Sequence, residues 1–562
     1  MPYNGMVMSP PTANRRSWAV HLLAALSLTA LATALMLPRL HSAQFGFFDD
    51  PTALVTEQKL LAGQFHWQDD PTAGRFRSVY WLYNAALYAV GGLDPAWFFA
   101  GNLLLLILVA LGIYRLVLAW GEAPWQAWLA GTLLLLCGPV VENAYTLSKQ
   151  ELLLVLWLEL FILSLDLFRS ESSHARLLAG LGLSSLLALF AMLTKESALI
   201  LPGVMLAWAA AAWPLQRLKL PVQHTAWQRA WGFAAALAGV GLFFVLRSFY
   251  FSQSVLAQGY GAQFNLQWAH LSANLGAWVD WLKRDYLYLL LLMPIPLFML
   301  ARRRSLVHLQ SALEALLWMA VWLGLYIPWL FNNEYYLLPF ALGAAPLAVS
   351  LAGIHLDFWR STGWKGKTAA TAMLLTALAL LLATLPGNWS NARLQLAMDA
   401  ANDDLLQYAV RRLPQDSVLL VNIQEPNEWI IQVKIMLGEV LGRADLTVEA
   451  YQFQDFAAQG WQGRDVYVAT AVIENQFFPS VRTGIYQANA QRWNEALAAS
   501  VGGFSRPEYE AFHGFRTLIV KPLYVLCPLA RPFGYCEYIN SALEQQDFVY
   551  GWRVYRLQAG QP

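Results

Sequence analysis

The sequence has few charged residues and almost no excess of either sign of charge. Only 13% of its 562 residues are Asp, Glu, Lys or Arg, whereas 57% are hydrophobic. Soluble globular proteins carry about 25% charged residues, so a wholly soluble chain is excluded and a polytopic membrane protein is predicted. The net charge of +1 leaves no basic stripe to neutralise phosphates, and we expect no nucleic-acid partner.

Sequence signatures of several other functions are also missing. There is no Walker A sequence and no Gly-rich loop between a strand and a helix, so nucleotide hydrolysis is not expected. The three cysteines form no Cys-x-x-Cys pattern, which argues against a redox or zinc motif. Cys527 and Cys536 lie in a segment expected outside the membrane, where an oxidising compartment would favour a disulfide between them.

Long apolar runs fill most of the first 386 residues. A run of roughly 20 apolar residues spans a bilayer core. The first run lacks a cleavage site of small residues, so we expect it to be an anchor rather than a signal peptide. We count about eleven spans. The runs are Trp18–Leu37, Phe98–Trp120, Trp125–Val141, Leu152–Phe168, Leu177–Leu193, Ala198–Trp213, Trp231–Phe251, Tyr286–Leu300, Leu306–Leu330, Leu337–Leu351 and Ala369–Leu385.

The distribution of Lys and Arg predicts the orientation in the membrane. Arg15 and Arg16 directly precede the first run, and positive residues stay cytoplasmic, so the N-terminal segment 1–17 is expected inside. Alternation of the spans then puts the basic clusters of later loops on the same side, while the intervening loops 141–146 and 252–274 hold no Lys or Arg. We therefore predict a multi-pass protein of the cell (inner) membrane.

Two polar segments are too long to be simple loops of the predicted transmembrane domain, 18–386. The first outer loop, 38–97, contains Pro51–Leu61 and Val79–Val90, which we interpret as amphipathic helices along the outer interface. The second, 387–562, has the composition of a soluble domain and follows the last span. It is therefore expected on the periplasmic or extracellular side.

The soluble segment shows the pattern of an α/β domain. Asp416–Asn422 and Asp465–Ala469 are short apolar runs bounded by polar residues, as in buried strands. Between them, Glu428–Leu441 has helical spacing. Strands that alternate with a helix predict a small α/β domain. The predicted fold class is thus a polytopic α-helical membrane protein with a C-terminal soluble α/β domain.

Acidic and basic residues gather on the predicted outer side. Ionisable groups at membrane depth cost about 2.5–3.5 kcal/mol each, so such a set needs a reason. A phosphate leaving group needs Lys or Arg, and an incoming hydroxyl needs a carboxylate to accept its proton. The set comprises Asp49, Asp50, Asp69, Asp70, Arg75, Arg77, Glu142, Lys149, Glu151, Thr194, Lys195, Glu196, Arg247, Asn332, Asn333, Glu334, Tyr335 and Tyr336.

Simpler interpretations of these residues stay open. Asp50 before Pro51 suits a helix start, with the acid as N-cap. Lys195 and Glu196 suit an interfacial ion pair, and Arg75 suits an anchor to anionic lipid headgroups, as does Arg77. The whole protein also has two other candidate functions, a lipid-linked glycan transporter and a non-enzymatic scaffold with an outer domain. A transporter often has internal symmetry and ionisable residues within its spans.

A series of short motifs, taken together, resembles polytopic GT-C glycosyltransferases. The similarity is greatest to the branch of bacterial O-mannosyltransferase-like and aminoarabinose-transferase-like enzymes, and it extends over roughly 17–354 of this chain. Ser78 and Asn333 depart from the family pattern, which commonly has Pro and a basic residue there. The motifs are Phe47-Phe-Asp-Asp-Pro51, Gly74-Arg-Phe-Arg-Ser78, Tyr88–Pro95, Ser148–Leu153, Leu193–Ser197 and Asn333–Pro339.

The resemblance implies transfer of a sugar from a polyprenyl-phosphate donor to an acceptor hydroxyl on the outer face, by an inverting displacement. Asp49, with Asp50 beside it, would be the base, and the acceptor would be a glycan, lipid or protein. Some relatives use a divalent metal, Mg²⁺ or Mn²⁺, which the same two acids would hold. Glu196 would orient Lys195. The implied donor-phosphate and substrate residues are Arg75, Arg77, Lys149, Lys195, Glu196, Arg247, Glu334 and Tyr335.

Overall fold

A computed structural model places an apolar helical bundle beside a small mixed sheet. It describes residues 15–47, 49–70, 74–168, 173–218, 222–251, 264–302, 308–330, 333–421, 428–450, 463–474, 507–516 and 547–557. The predicted Cys527–Cys536 disulfide and Asn332 lie outside these residues.

The helices are numbered in chain order. They are α1 (Arg15–His41), α2 (Asp50–Leu61), α3 (Ser78–Gly91), α4 (Pro95–Ala119), α5 (Pro124–Leu135), α6 (Gly138–Ala144), α7 (Glu151–Ser164), α8 (His174–Thr194), α9 (Leu201–Arg217), α10 (Ala226–Ser248), α11 (Trp268–Leu292), α12 (Pro294–Ala301), α13 (Leu309–Tyr326), α14 (Leu338–Ser361), α15 (Trp364–Arg412) and α16 (Glu428–Ile435).

Within the described residues, each predicted apolar run falls mainly on helices. Within the described part of the chain, eight helices are long and apolar enough to cross a membrane. Two bent pairs raise the number to as many as ten: α5 with α6, bent by 59°, and the segment Trp268–Ala301, bent by 79°. The run Leu152–Phe168 forms the shorter helix α7 and a 3₁₀ turn. The prediction of a polytopic helical membrane protein is confirmed.

The first outer loop forms the two helices that its sequence predicts. Helix α2 starts at Asp50 with Pro51 in its first turn, where the missing N–H of proline costs nothing. Helix α3 ends at Gly91 and is followed by Gly92, whose φ of 56° is positive and suits glycine. The two helices pack through a small buried cluster around Ala53, Tyr80 and Trp81. This packing holds the polar residues that directly precede the two helices, Asp49 before α2 and Arg77 before α3.

Within the described residues, the C-terminal domain contains a sheet of five strands: β1 (Val418–Val421), β2 (Thr447–Ala450), β3 (Val466–Glu474), β4 (Tyr509–Arg516) and β5 (Asp547–Leu557). Their order in the sheet is β2-β1-β3-β5-β4. Strand β1 runs parallel to its neighbours β2 and β3, whereas β5 is antiparallel to both β3 and β4. The predicted strands and helix of the α/β domain are confirmed as β1, β3 and α16.

Helix α15 joins the two parts of the molecule without a break. It has 49 residues, and the predicted domain boundary between 386 and 387 falls inside it. Its outer half packs on the sheet, where buried Asn402 Oδ1 accepts hydrogen bonds from Tyr550 Oη at 3.1 Å and Trp552 Nε1 at 3.0 Å. Lower down, Asp399 forms a buried ion pair of 2.5 Å with Arg39 at the end of α1.

Candidate functional site

Asp49 occupies the N-cap position of α2 in an unusual backbone conformation. Its φ of 63° lies in the left-handed region, which Asp tolerates better than most residues. The carboxylate makes no capping hydrogen bond to its own helix. Instead, Lys149 Nζ lies 3.4 Å from Asp49 Oδ2, and the Asp49 side chain is 46% exposed. The acid is thus both charge-paired and reachable from solvent.

Asp50 has a different environment from its neighbour. Its buried carboxylate accepts hydrogen bonds from the backbone N–H groups of Gly46 at 2.8 Å and Ser148 at 3.2 Å. Glu57 lies behind it, and burial followed by the charge of Asp50 raises the pKa of Glu57 to about 9, so this carboxyl is neutral at pH 7. Through these hydrogen bonds, Asp50 connects the segment at Gly46 with the segment at Ser148.

A polar cavity of about 290 Å³ opens beside Asp49. Lys149 Nζ lies 4.4 Å from the centroid of the Tyr335 ring, a cation–π distance. The α6 residue Asn143 donates to the Tyr335 carbonyl at 3.1 Å and holds this wall in place. The lining residues are Asp49, Thr52, Ala53, Arg75, Arg77, Tyr80, Trp81, Ser148, Lys149, Gln150, Glu151, Lys195, Trp329, Asn333, Tyr335 and Tyr336.

Lys195 pairs with Glu151, an acid to which the sequence analysis gives no specific role. The two buried side chains form an ion pair, and Lys195 Nζ lies 4.6 Å from the centroid of the Tyr336 ring. Burial lowers the pKa of Lys195 to about 8, although the charge of Glu151 opposes the shift. Glu196, expected to orient Lys195, accepts a hydrogen bond from the Phe76 N–H at 2.8 Å.

Arg77 and Arg247 hold the loop that carries Arg75. Arg77 donates to both oxygens of Asp70, through Nε at 3.0 Å and Nη2 at 2.6 Å. Burial opposes the charge of Arg77, but the carboxylate of Asp70 outweighs it and raises the Arg77 pKa. Arg247 Nη2 donates to the Gly74 carbonyl at 2.9 Å. These contacts present Arg75 to the cavity.

A second cavity, of about 300 Å³, adjoins the first and is mainly apolar. Four residues line both cavities and form the wall between them: Arg75, Lys195, Trp329 and Tyr336. Arg247 lines only the second cavity. The other residues that line the second cavity are Gly74, Glu196, Ser197, Leu199, Ile200, Phe243, Phe244, Phe264, Leu325 and Tyr326.

The structure thus brings most of the sequence-predicted residues together, with two exceptions. Asp50 and Glu334 line neither of the two cavities. The Glu334 carboxylate instead lies against Gly138 and Asn388, in the space that a side chain at Gly138 would occupy. Sequence reasoning did not assign roles to Glu151, Trp329 or Tyr336. The first and last belong to motifs already singled out, whereas nothing in the sequence marks Trp329.

The residues present do not suit a divalent metal at the acid pair. Mg²⁺ and Mn²⁺ prefer several oxygen ligands, but both oxygens of Asp50 accept backbone N–H groups and Asp49 faces the ammonium of Lys149. Within the described ranges, no group of three or more His, Cys, Asp or Glu side chains could hold a metal ion. Asp49 is therefore a partly exposed acid beside Lys149, whereas Asp50 is a structural residue.

Comparison with known proteins gives matches of structure but not of sequence. No family model and no curated protein sequence matches the chain. Its structure is similar to that of ArnT from Cupriavidus metallidurans bound to undecaprenyl phosphate, with 12% identity, 98% of this chain and 100% of that chain covered, and a TM-score of 0.46.

The structure is also similar to that of the apo oligosaccharyltransferase of Archaeoglobus fulgidus, with 11% identity and a TM-score of 0.49. The similarity covers 81% of this chain and 70% of that chain. A third similar structure, at 11% identity, 75% and 64% coverage and a TM-score of 0.47, is AglB of the same organism with an inhibitory peptide and a dolichol-phosphate. All three are GT-C membrane glycosyltransferases, the superfamily that the motifs of this chain resemble.

Proposed function

We propose that this chain transfers a sugar from a polyprenyl-phosphate donor to an acceptor hydroxyl on the outer face of the membrane. The observation that carries the proposal is the pair of adjoining cavities, one polar and one apolar, with Arg75 and Lys195 in their common wall. A lipid-linked sugar has the same layout, with a polar ring, a phosphate and an apolar tail. A charged phosphate between the two ends would meet these two cations.

The apolar cavity suits the part of a prenyl chain nearest the phosphate. Its wall includes Leu199 and Ile200 after α8, Phe243 and Phe244 of α10, and Leu325 of α13. Burying an isoprenoid tail here releases water from apolar surface, which favours binding by about 25 cal/mol per Å². Undecaprenyl phosphate and dolichol-phosphate, the ligands named for two of the similar structures, are lipids of this class.

The cations of the site have two kinds of role in this scheme. Lys195 and Arg75, in the shared wall, bind the donor phosphate and offset the charge that develops as the sugar–phosphate bond breaks. Lys149, beside Asp49, faces the sugar side of the cavity. Arg77 and Arg247 keep the Arg75 loop in place through Asp70 and the Gly74 carbonyl.

Asp49 is the base in the proposed reaction. The acceptor hydroxyl gives its proton to the Asp49 carboxylate while its oxygen attacks the anomeric carbon of the donor sugar. The bond from that carbon to the phosphate oxygen breaks at the same time, and polyprenyl phosphate leaves with the electron pair. A single displacement of this kind inverts the anomeric centre. The half-exposed Asp49 side chain leaves room for an acceptor from the aqueous side.

The acceptor is a glycan, lipid or protein with a free hydroxyl, and it reaches the site from the side of the C-terminal domain. That domain contacts the first turn of α2, next to Asp49, through α16. With the N-terminus in the cytoplasm, both the site and the domain lie on the periplasmic or extracellular face.

Binding of undecaprenyl phosphate to the purified protein tests the donor site. We expect saturable binding that Lys195→Ala and Arg75→Ala each weaken at least about tenfold, because each removes a charge from the shared wall. Lys283→Ala is the matched control, since this exposed lysine pairs with Asp280 in α11 and lines neither cavity. A panel of undecaprenyl-phosphate-linked sugars then tests transfer.

The outcomes separate the proposal from its rivals. Binding that Lys195→Ala and Lys283→Ala weaken equally would mean non-specific attraction to a cationic surface. Folded protein that binds no polyprenyl phosphate would overturn the transferase proposal. If the protein binds polyprenyl phosphate and transfers no sugar of the panel, but moves a lipid-linked sugar across the bilayer of reconstituted vesicles, a transporter of lipid-linked glycans would be favoured.

A further inference from the structure

The start of helix α2 has a capping arrangement that involves two domains. A residue at the N-cap position normally accepts a hydrogen bond from the backbone N–H two or three positions further on. For Asp49 these positions are Pro51, which has no N–H, and Thr52. The Thr52 N–H is therefore the single amide that a cap at Asp49 would serve.

That amide already has another partner. The Thr52 N–H donates to Gln432 Oε1 at 3.1 Å, and the Thr52 hydroxyl donates to the same oxygen at 2.9 Å. Gln432 belongs to α16 of the C-terminal domain and is 4% exposed, so water does not compete for this contact. The cap of α2 thus comes from a residue 380 positions away.

Because Gln432 accepts the Thr52 N–H, the carboxylate of Asp49 is not needed to cap α2. Asp is among the strongest N-cap residues, and an acid at this position stabilises the helix by accepting a backbone N–H. Here Asp49 makes no such bond and lies instead against Lys149 in the polar cavity. A carboxylate that capped its own helix would be held on the Thr52 amide, and a base must lie within hydrogen-bond reach of the hydroxyl it deprotonates.

We propose that Gln432 is a positioning residue, which caps α2 in place of Asp49 and so keeps the Asp49 carboxylate available as the base. The inference rests on the proposed function for its kinetic consequences, but the capping exchange itself is a statement about structure. It gives the C-terminal domain a role in the chemistry. Only when α16 is docked on α2 does Asp49 face the cavity.

Four variants test the proposal in the full-length protein. Gln432→Met has nearly the same size and no strong acceptor, so the Thr52 amide loses its partner and Asp49 takes its place. Gln432→Glu keeps an acceptor oxygen at the same distance. Thr52→Val removes the hydroxyl and leaves the amide. Lys434→Ala alters α16 on its exposed side, where Lys434 lies 3.6 Å from Glu449, without touching α2.

Kinetics distinguish positioning from simple docking. We expect Gln432→Met to lower kcat at least about tenfold with the donor KM unchanged, because a misplaced base slows chemistry without affecting phosphate binding. The acid limb of its pH–kcat profile should move, since the Asp49 carboxylate exchanges the ammonium of Lys149 for an amide N–H. Gln432→Glu should recover most of kcat, and Thr52→Val, which loses one of the two hydrogen bonds to Gln432, should lower kcat less than Gln432→Met does. Lys434→Ala should stay within about threefold of wild type.

A structure of the Gln432→Met variant by electron cryo-microscopy tests the exchange without any assay of activity. We expect the Asp49 carboxylate on the Thr52 amide. If it still lies beside Lys149, or if kcat and the acid limb are unchanged in folded Gln432→Met protein, the proposal is overturned. An observed exchange in a protein that transfers no sugar would instead refute the proposed function and leave the capping role standing.

Discussion

Two clusters of buried polar side chains lie at opposite ends of the helical bundle. Helix α10 shows this directly, because Arg247 near its last turn belongs to the candidate site, whereas Arg229 in its first turn forms a buried ion pair with Glu314. The outer cluster borders two cavities of about 290 and 300 Å³. The inner cluster is made of side chains that contact one another.

The inner cluster contains two connected sets of contacts. Glu122 Oε1 accepts hydrogen bonds from Ser311 and Ser350, both at 3.0 Å, and its Oε2 lies 2.7 Å from His308 Nδ1. Glu314 accepts from Arg229 Nε at 3.1 Å and from the neighbouring Gln310 amide at 3.0 Å. Its members come from helix ends on the predicted cytoplasmic side.

The difference shows how burial of charge relates to function. In the inner cluster, the partner of each acid is another protein group, and removing one partner leaves a buried charge unpaired. In the outer cluster, Lys195 and Asp49 are paired but also border open space that a ligand can fill. The first arrangement mainly stabilises the fold, whereas the second leaves space for a ligand. Substitutions at the two ends should therefore change different measured quantities.

Asp49→Asn should have the largest effect, a loss of kcat of about 10³-fold, because a general base contributes about 10²–10⁴-fold. Donor affinity should stay within about twofold, since the amide is isosteric. Single-turnover transfer and binding of undecaprenyl phosphate measure the two quantities. Glu122→Gln in the inner cluster is the matched control, and its kcat per folded molecule should equal that of wild type. Full activity of Asp49→Asn would refute the assignment of the base.

Arg229→Met should lower the free energy of unfolding by about 3–5 kcal/mol, the usual cost of breaking a buried ion pair. Chemical denaturation in detergent measures this. The double variant Arg229→Met, Glu314→Leu should recover most of the loss, because no buried charge is then left unpaired. A change in donor affinity of the folded Arg229→Met protein would show that the two clusters are coupled.

Donor affinity should fall about tenfold between pH 7 and pH 9. The pKa of Lys195 is lowered to about 8 by burial and by the nearby charges of Arg75 and Lys149, with Glu151 opposing the shift. The ammonium is therefore present below this pH and lost above it, and only the charged form holds a phosphate. Lys195→Arg stays charged throughout and should abolish the pH dependence. An equal fall in that variant would place the titrating group elsewhere.

Ser350→Ala should give the smallest effect, a loss of about 1 kcal/mol of unfolding free energy with no change in kcat. Glu122 keeps its second hydroxyl donor, Ser311, and its contact with His308. Thermal unfolding compared with wild type measures the change. A loss of transfer by folded Ser350→Ala protein would contradict the separation of the two ends.

The sequence predicts the helices well, because an apolar run of sufficient length has few alternatives in a membrane. It does not predict all of their bends. The run Trp125–Val141 counts as one span, but Gly138 and Pro139 start a new helix there, and the chain turns by 59°. Proline inside the run was the available signal for this break.

The site shows a similar division between what the sequence predicts and what it leaves open. The sequence places Asp49 next to Asp50 and Lys195 next to Glu196, yet the two members of each pair have different surroundings in the structure. Lys195 has an extended backbone, with φ of −155°, and consecutive side chains of extended backbone point to opposite sides. The contact between Lys195 and Glu151 depends on how α7 and α8 meet, which no local pattern contains.

Helix α15 determines where the membrane part can be separated from the rest of the protein. A chain shortened at 386 would lose Asn391, which donates to Glu142 of α6 at 2.7 Å, and Asp399, the partner of Arg39. At 1.5 Å per residue the 49-residue helix is about 74 Å long, far more than a bilayer core requires. A truncation after Arg412 keeps both contacts and removes Gln432. Such a shortened protein isolates what the sheet contributes to the reaction from what the helix contributes to the bundle.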